Sequence, residues 1–423
     1  MDVVFLFGSL FLLIALSVPV GYAIGISTVF TFVFFSNMNL ITIAQSMTTG
    51  LDSFPMMAIP FFILAGTIMS TGGVARRLVD VFNDLVGHIT GGLSMVTAIT
   101  CMFFGAISGS ANATASAIGG IMVPEMVRKG YDRDYSASLI ACSGTIGLII
   151  PPSIAFVIYG VTTNTSIGDL FIAGVVPGIL MTVAICTVCF FVSKKRGYVG
   201  TERASLKKLG KDVWEGKWSL LSPIIILGGI YSGIFTPTEA AVVSCVYSIF
   251  VGAFLHKELT WKGLYNALKD AMELTGLSMF LLSVATAFSK YLTLAQIPGK
   301  MVNVIIGVTD NPILILMIIN VFLLMVGCVM DNIPATTILA PILLPVAQAA
   351  GLTAVQFGVM MTLNLTIGLC TPPYGSNLFI AATISKVKLE DMLKTLWPFL
   401  IALFAVLMIV TYLPGVSTFL LQG

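Results

Sequence analysis

Two proline pairs constrain this chain most, because each ends an apolar run that would otherwise continue as a helix. They are Pro151–Pro152 and Pro372–Pro373, which stand 221 residues apart (372 − 151). A proline has no amide hydrogen, so a helix that reaches such a pair must break and leave carbonyls without their usual partners. The spacing predicts unpartnered carbonyls at four residues: Gly147, Leu148, Gly368 and Leu369.

The composition places these breaks in a membrane. The chain is 57% hydrophobic and 9% charged, with a mean hydropathy of +1.02. These values predict an all-α polytopic membrane protein. An unpaired carbonyl in lipid costs several kcal/mol, so broken backbone persists there only where it lines a cavity or binds something. The net charge of +2 gives no reason to expect a nucleic-acid partner, whereas the lipid bilayer is an expected one.

The proline pairs belong to a longer internal repeat with the same offset. Residues 109–130 align with residues 330–351 without a gap, so that Pro124 meets Pro345. We interpret the chain as two repeats, residues 1–192 and 219–423, joined by a linker at residues 193–218. Each repeat is expected to contain a re-entrant helical hairpin and a broken helix, although the first hairpin could instead be two plain spans with its tip at the far surface. The expected ranges are about 91–128 and 135–163 in the first repeat, and about 312–347 and 356–385 in the second.

The distribution of basic residues predicts the orientation. The linker carries eight Lys or Arg between residues 194 and 217, which by the positive-inside rule makes it cytoplasmic. Tracing the spans from there gives the two repeats opposite topologies, with ten full spans, two hairpins and both termini in the periplasm. Inverted repeats with discontinuous helices are typical of secondary transporters, which bind substrate and ions near the midplane.

Each hairpin tip, together with the break in the same repeat, could supply the hard oxygen ligands that Na⁺ prefers. The first predicted Na⁺ site combines Ser108, Ser110 and Asn112 with backbone at Gly147, Ile150 and Pro152. The second combines Gly327, Asp331 and Asn332 with Gly368, Thr371 and Tyr374. Any one hydroxyl could instead bond its own helix. Direct ion contact and support of the tip both remain open for Asp331.

The helical segments that follow the breaks should present positive N-termini to an anionic substrate. Ser153, Ser376 and Asn377 lie there and are the predicted substrate-binding residues. No arginine follows Arg203, so the second repeat cannot supply a bidentate arginine clamp for a carboxylate. Amides, hydroxyls and helix ends are therefore expected to recognise the carboxylate, or else an arginine that lies nearer the site than the predicted topology places it.

Several stretches resemble the large membrane subunit of tripartite ATP-independent periplasmic (TRAP) transporters, within the ion transporter superfamily. The matching stretches run from Asp52 to Gly66, Ser108 to Ser110, Ile150 to Ser153, Gly233 to Ala240 and Gly368 to Pro373. The resemblance implies a Na⁺-driven importer of organic acids such as C4-dicarboxylates, sialic acid or sugar acids. It also implies an elevator motion, a bacterial inner-membrane location and two protein partners. The partners are a periplasmic substrate-binding protein and a small four-helix membrane subunit, here expected to be a separate polypeptide.

Two other classes of protein remain as alternatives. An intramembrane hydrolase would need a base beside Ser108 or Ser110, but neither His88 nor His256 is placed to serve them. A second intramembrane aspartate near Asp331 is also missing from the sequence. A channel is the other alternative, although paired breaks in inverted repeats favour alternating access.

Overall fold

The computed structural model describes residues 2–35, 39–297, 299–300, 302, 309, 311–373 and 375–421. Within these residues every regular element is helical, which confirms the predicted all-α class. The predicted site residue Tyr374 lies outside the described residues.

Ten helices precede the predicted linker. They are α1 (Asp2–Ala15), α2 (Val20–Phe35), α3 (Ile41–Thr49), α4 (Ala58–Thr71), α5 (Val74–Val86), α6 (Gly92–Ser108), α7 (Ala111–Arg128), α8 (Arg133–Thr145), α9 (Ile154–Thr163) and α10 (Ile167–Arg196). The helices from the linker onward are α11 (Leu206–Tyr231), α12 (Pro237–Phe250), α13 (Trp261–Leu294), α14 (Pro312–Gly327), α15 (Asn332–Ala349), α16 (Ala354–Gly368), α17 (Ser376–Ser385), α18 (Leu389–Tyr412) and α19 (Gly415–Thr418).

Helix bounds in the two halves correspond at the sequence offset. Helix α7 begins at Ala111 and α15 at Asn332, which is 221 residues later (332 − 111). Both proline pairs lie between helices, and both Pro–Pro peptide bonds are cis. The repeat boundaries and the opposite directions of the two halves in the bilayer stay predictions.

Six helical stretches in the described part of the chain are long and apolar enough to cross a bilayer. They are Phe54–Thr71, Ile167–Arg196, Pro237–Leu255, Trp261–Leu294, Asn332–Ala349 and Leu389–Tyr412. Seven further apolar helices in this part of the chain have 10–17 residues, including both first arms of the predicted hairpins, the helices after both breaks and the helix before the second break. The expected count of ten spans and two hairpins stays a prediction.

The helices before the two breaks lie at the centre of the molecule. Every residue of α8 from Tyr135 and every residue of α16 from Phe357 is buried. Helix α8 packs against α6, α7, α17 and α18, whereas α16 packs against α14, α15 and α18. The breaks that follow α8 and α16 are therefore held inside the protein, as broken backbone at membrane depth requires.

Close glycine contacts bring each break against the preceding hairpin arm. A Cβ atom on Gly105 of α6 would lie 2.4 Å from Cα of Gly147. In the second half, a Cβ on Gly368 would lie 2.4 Å from the carbonyl carbon of Gly327 in α14. Backbones this close require glycine, because a side chain would displace the neighbouring main chain.

Candidate transport site

The first hairpin tip consists of the two residues between α6 and α7. Gly109 has φ +61°, the left-handed conformation that ends α6, and the hydroxyl of Ser110 accepts a hydrogen bond from the amide of Ala113. Ser108 Oγ lies 3.0 Å from Thr114 Oγ1, which also donates to the Ser110 carbonyl at 2.8 Å. The tip thus gathers three hydroxyls and one carbonyl by local capping, of which Thr114 was not predicted.

The first break contacts this tip directly. A Cβ on Gly147 would lie 2.5 Å from Thr114 Oγ1 and 3.0 Å from the Ser110 carbonyl oxygen. A Cβ on Gly109 would lie 2.9 Å from the Pro152 carbonyl oxygen, and the amide of Ile154 donates to the Gly109 carbonyl at 3.3 Å. The structure therefore brings together Ser108, Ser110, Gly147 and Pro152. The Ile150 side chain packs toward Gly178 of α10, and the contribution of the Ile150 carbonyl to the ion site stays a prediction.

The second tip is built in a similar way. Asp331 caps α15 by accepting the amide of Asn332 at 2.7 Å. The Asn332 side chain accepts a bond from Thr336 at 3.1 Å and donates to Thr366 of α16 at 3.5 Å. Gly327 lies against Gly368, in the close glycine contact described above. The hydroxyl of Thr371 donates to the Ile367 carbonyl at 2.8 Å, so it bonds the last turn of the preceding helix, α16.

The prediction of four unpartnered carbonyls was wrong at three residues. The Leu148 carbonyl accepts a bond from Ser153 Oγ, that of Gly368 from the Thr371 amide, and that of Leu369 from the Asn377 amide. The chain turns tightly after each break, so donors further along the chain replace the missing proline amides. These carbonyls keep a second lone pair, which leaves them able to accept another contact.

Gly147 differs from these three residues. The amides of Ile149 and Ile150 both donate to the Ile146 carbonyl, and Pro151 has no amide hydrogen. The residues three and four positions after Gly147, Ile150 and Pro151, therefore donate no hydrogen bond to its carbonyl. Among the described residues the Gly147 carbonyl has no hydrogen-bond donor, as the proline pair predicts.

The predicted substrate-binding residues occupy three different environments. Ser153 is fully buried and caps α9 by accepting the amide of Phe156 at 3.3 Å. Asn377 is also fully buried, and its amide nitrogen donates to the Ala141 carbonyl at 3.2 Å while Oδ1 has no hydrogen-bond partner among the described residues. Ser376 donates to Oδ1 of Asn112 at 3.1 Å. This last bond joins the first tip to the helix after the second break.

A cavity of about 700 Å³ connects the two tips. It is lined by Ser108, Ser110 and Asn112 from the first tip and by Asp331 and Asn332 from the second. Leu148 and Leu369 from the breaks also line it, but Ser153, Ser376 and Asn377 do not. Five predicted ion-site residues thus line the cavity, whereas none of the three predicted substrate-binding residues does.

Two helices that were not predicted to contribute complete the cavity wall. Helix α4 supplies Thr67 and Ser70, and α13 supplies Asp270, Glu273 and Ser278. Single polar residues on long apolar helices give little signal in a sequence. In α13, the two acidic residues Asp270 and Glu273 were the available indication in the sequence that this helix lines a polar cavity.

The charged lining residues all have the same sign. They are Asp270, Glu273 and Asp331, and no Lys or Arg lines the cavity among the described residues. Groups of three or more His, Cys, Asp or Glu suited to a metal ion are likewise absent from the described part of the chain.

Solved structures with a similar fold are membrane transporters. The Alcanivorax borkumensis YdaH transporter matches with a TM-score of 0.63 and 13% identity, covering 88% of this chain and 87% of that one. Neisseria gonorrhoeae MtrF, titled as one of a class of antimetabolite efflux pumps, matches with a TM-score of 0.51 and 14% identity, covering 88% and 84%. At such identities the likeness defines the fold alone, which is that of a helical membrane transporter.

Sequence comparison then identifies the family. The family model described as "Tripartite ATP-independent periplasmic transporter, DctM component" matches residues 7–416. The Pseudomonas aeruginosa "C4-dicarboxylate TRAP transporter large permease protein DctM" is 40% identical over 93% of this chain and 92% of its own length. The chain belongs to the DctM family of TRAP transporter large permeases, and it is a multi-pass membrane protein.

Other relatives carry different substrate names. The Oleidesulfovibrio alaskensis "Isethionate TRAP transporter permease protein DctMQ" is 42% identical over 98% of this chain. The Vibrio cholerae "Sialic acid TRAP transporter large permease protein SiaM" is 38% identical over 97% of this chain and 96% of its own length. The chain spans 65% of the isethionate relative and 66% of the Haemophilus influenzae sialic acid permease SiaT. These relatives are transporter permeases, so the hydrolase alternative is set aside and the chain is not an enzyme.

Proposed function

We propose that this chain is the membrane-translocating subunit of a Na⁺-coupled importer for a small organic acid. The observation that carries the proposal is the cavity, which joins both hairpin tips and whose charged lining, among the described residues, consists of carboxylates alone. An organic anion placed between such walls would be repelled unless cations accompany it, because charges within a few ångströms interact strongly away from bulk water. Co-transported Na⁺ provides that compensation.

The two tips are the proposed Na⁺ positions. At the first, Ser108, Ser110 and Thr114 offer hydroxyls beside the Gly147 carbonyl, which accepts no hydrogen bond from the described residues. At the second, Asp331 and Asn332 face the cavity close to α16. Neutral oxygens with at most one carboxylate suit a monovalent hard cation better than a divalent one. Residues of both tips would hold Na⁺ while the anion lies between them.

The alternating access that we propose is an elevator motion. The Ser376–Asn112 hydrogen bond and the two close glycine contacts connect the tips and hairpin arms to the breaks. These connections support movement of the hairpins and broken helices as one body against the remaining helices. A periplasmic binding protein would deliver the substrate, and a small four-helix subunit would complete the assembly in a bacterial inner membrane. The isethionate, sialic acid and C4-dicarboxylate named for the relatives support a small organic acid without selecting one.

Uptake into proteoliposomes tests the proposal. The chain, reconstituted with its small subunit and binding protein, should accumulate a labelled organic acid only under an inward Na⁺ gradient. A membrane potential, negative inside, should increase uptake if more Na⁺ charges enter than anionic charges. Equal uptake with K⁺ or choline replacing Na⁺ would contradict Na⁺ coupling. Equilibration without accumulation would favour the channel alternative.

A further inference from the structure

The first three turns of α11 carry a basic and aromatic face on the side away from α5. The side toward α5 is fixed by Gly216, where a Cβ would lie 2.8 Å from Val81 Cγ2. Lys207, Lys211 and Trp214 follow the i, i+4, i+7 spacing that places side chains on one helix face. Counted at 3.6 residues per turn, this face is opposite Gly216.

The face has an excess of positive charge that protein contacts do not neutralise. Lys211 is paired only loosely with Glu215, at 3.7 Å, and Lys207 has no ion-pair partner among the described residues. Lys217 Nζ lies 3.0 Å from the centroid of the Trp214 ring. The indole of Trp214 is nevertheless exposed, with 70% of its surface accessible. By contrast Lys208, on the α5 side, bonds the buried carboxylate of Asp84.

The same helix then becomes apolar. From Ser219 to Tyr231 it contains no charged residue, so lysines and an exposed tryptophan stand where a polar segment meets an apolar one. Tryptophan is enriched at membrane–water interfaces, and juxtamembrane lysines are attracted to anionic lipid headgroups. We propose that Lys207, Lys211, Trp214 and Lys217 form a binding surface for the headgroup of an anionic phospholipid. The lysines would contact the phosphate while the indole lies at the interface.

This proposal is independent of the transport mechanism, because the surface lies outside the cavity lining. It also holds for either orientation of the chain, since it requires only a bilayer surface that contains anionic lipid. Charge complementarity selects the lipid class: zwitterionic phosphatidylcholine offers the same apolar interior without the net negative charge.

Quenching of Trp214 by brominated lipids tests the surface. The other tryptophans, Trp218, Trp261 and Trp397, are replaced by Phe, and the chain is placed in nanodiscs with brominated phosphatidylglycerol or brominated phosphatidylcholine. Phosphatidylglycerol should quench more strongly at equal mole fraction, and high salt should reduce the difference. The variant Lys207→Gln/Lys211→Gln/Lys217→Gln should lose the preference, which we expect to weaken roughly fivefold per lysine. The matched variant Lys386→Gln/Lys388→Gln/Lys394→Gln should keep it.

A second measurement does not depend on the tryptophan substitutions. Native mass spectrometry of the otherwise unsubstituted chain should show phosphatidylglycerol retained through delipidation, with fewer molecules retained in the Lys207/Lys211/Lys217 variant than in the matched control. Equal quenching by the two lipids would overturn the proposal and indicate that water or protein covers this face. Equal lipid retention in the two lysine variants would overturn it as well.

Discussion

At Gly147 the first break lies against the first tip so closely that a side chain does not fit. The atoms that a Cβ would meet are Thr114 Oγ1 and the Ser110 carbonyl oxygen, both of which belong to the proposed Na⁺ position. The glycine therefore has two separable roles. It allows close packing, and it keeps its own carbonyl beside these oxygens.

Replacing Gly147 by Ala should weaken the response to Na⁺. The added methyl must displace Thr114 or the tip carbonyl, and the cost of one disturbed oxygen ligand is of the order of a lost buried hydrogen bond, about 1–3 kcal/mol. The Na⁺ concentration for half-maximal uptake should rise by roughly tenfold, which corresponds to about 1.4 kcal/mol. Uptake is measured against Na⁺ concentration and normalised to purified protein.

Gly120→Ala is the matched control, because a Cβ on this α7 glycine has nothing within 4 Å. Its Na⁺ curve should equal that of the unsubstituted chain. An unchanged Na⁺ curve in Gly147→Ala would remove this residue from the ion site. Gly368→Ala should behave differently, since its Cβ meets only main-chain atoms of Gly327, the nearest at 2.4 Å, which cannot turn aside as the Thr114 side chain can. We expect that variant to lose folded protein, by overpacking of about 1–3 kcal/mol.

Among the elements, the segment that follows α12 contacts the turn between α4 and α5 through the side chain of His256. His256 Nδ1 lies 3.0 Å from the Gly72 carbonyl oxygen, and a carbonyl only accepts, so Nδ1 carries the proton. Nε2 is buried without a hydrogen-bond partner among the described residues. Burial lowers the pKa of His256, and the nearby Arg77 adds to the effect, so the folded protein favours the neutral ring.

Acidification should therefore destabilise the protein through His256. Its pKa is lower in the folded state than in the unfolded state, where it is near 6.5. Stability is unaffected well above pH 6.5, falls as the pH drops toward the folded pKa, and then levels off. Thermal melting of the purified protein at pH 7.5 and pH 5.5 measures this loss.

The chain has only two histidines, which makes the comparison simple. His256→Gln should reduce the loss of stability between the two pH values, whereas His88→Gln, at an exposed position, should retain it. If the pH dependence of melting is the same in both variants, the buried Nε2 does not contribute to it.

At the scale of helices and the turns between them, the sequence predicted where the elements lie better than it predicted which residues they contact. The hairpin expected at about 91–128 corresponds to α6 and α7, and the broken helix expected at about 356–385 corresponds to α16 and α17. Prolines, glycines and apolar runs mark such bounds locally. The acceptors for Ser153, Thr371 and Asn377 were missed because they depend on how the chain turns after each break. The cavity wall from α4 and α13 depends on packing between distant segments, which one sequence does not reveal.

At the scale of the whole molecule, the cavity is lined along α13 by two charged residues. Asp270 and Glu273 line it, and they follow Lys262 and Lys269 on the same helix. The positive-inside rule assigns those lysines to the cytoplasm. The two hairpin tips line the same cavity. In this conformation the proposed path from the tips therefore leads toward the cytoplasm, which is the release side for an importer.

Cysteine labelling tests this direction of access. Ser278 lines the cavity two turns beyond Asp270, so Ser278→Cys should react with a membrane-impermeant maleimide in inside-out vesicles and not in right-side-out vesicles. The seven native cysteines are buried or half-buried, and the unsubstituted chain serves as the blank. Asn311→Cys, exposed on the predicted periplasmic side, should show the reverse pattern. Reaction of Ser278→Cys only from the periplasmic side would reverse the assignment, because the same helix would then place its lysines outside.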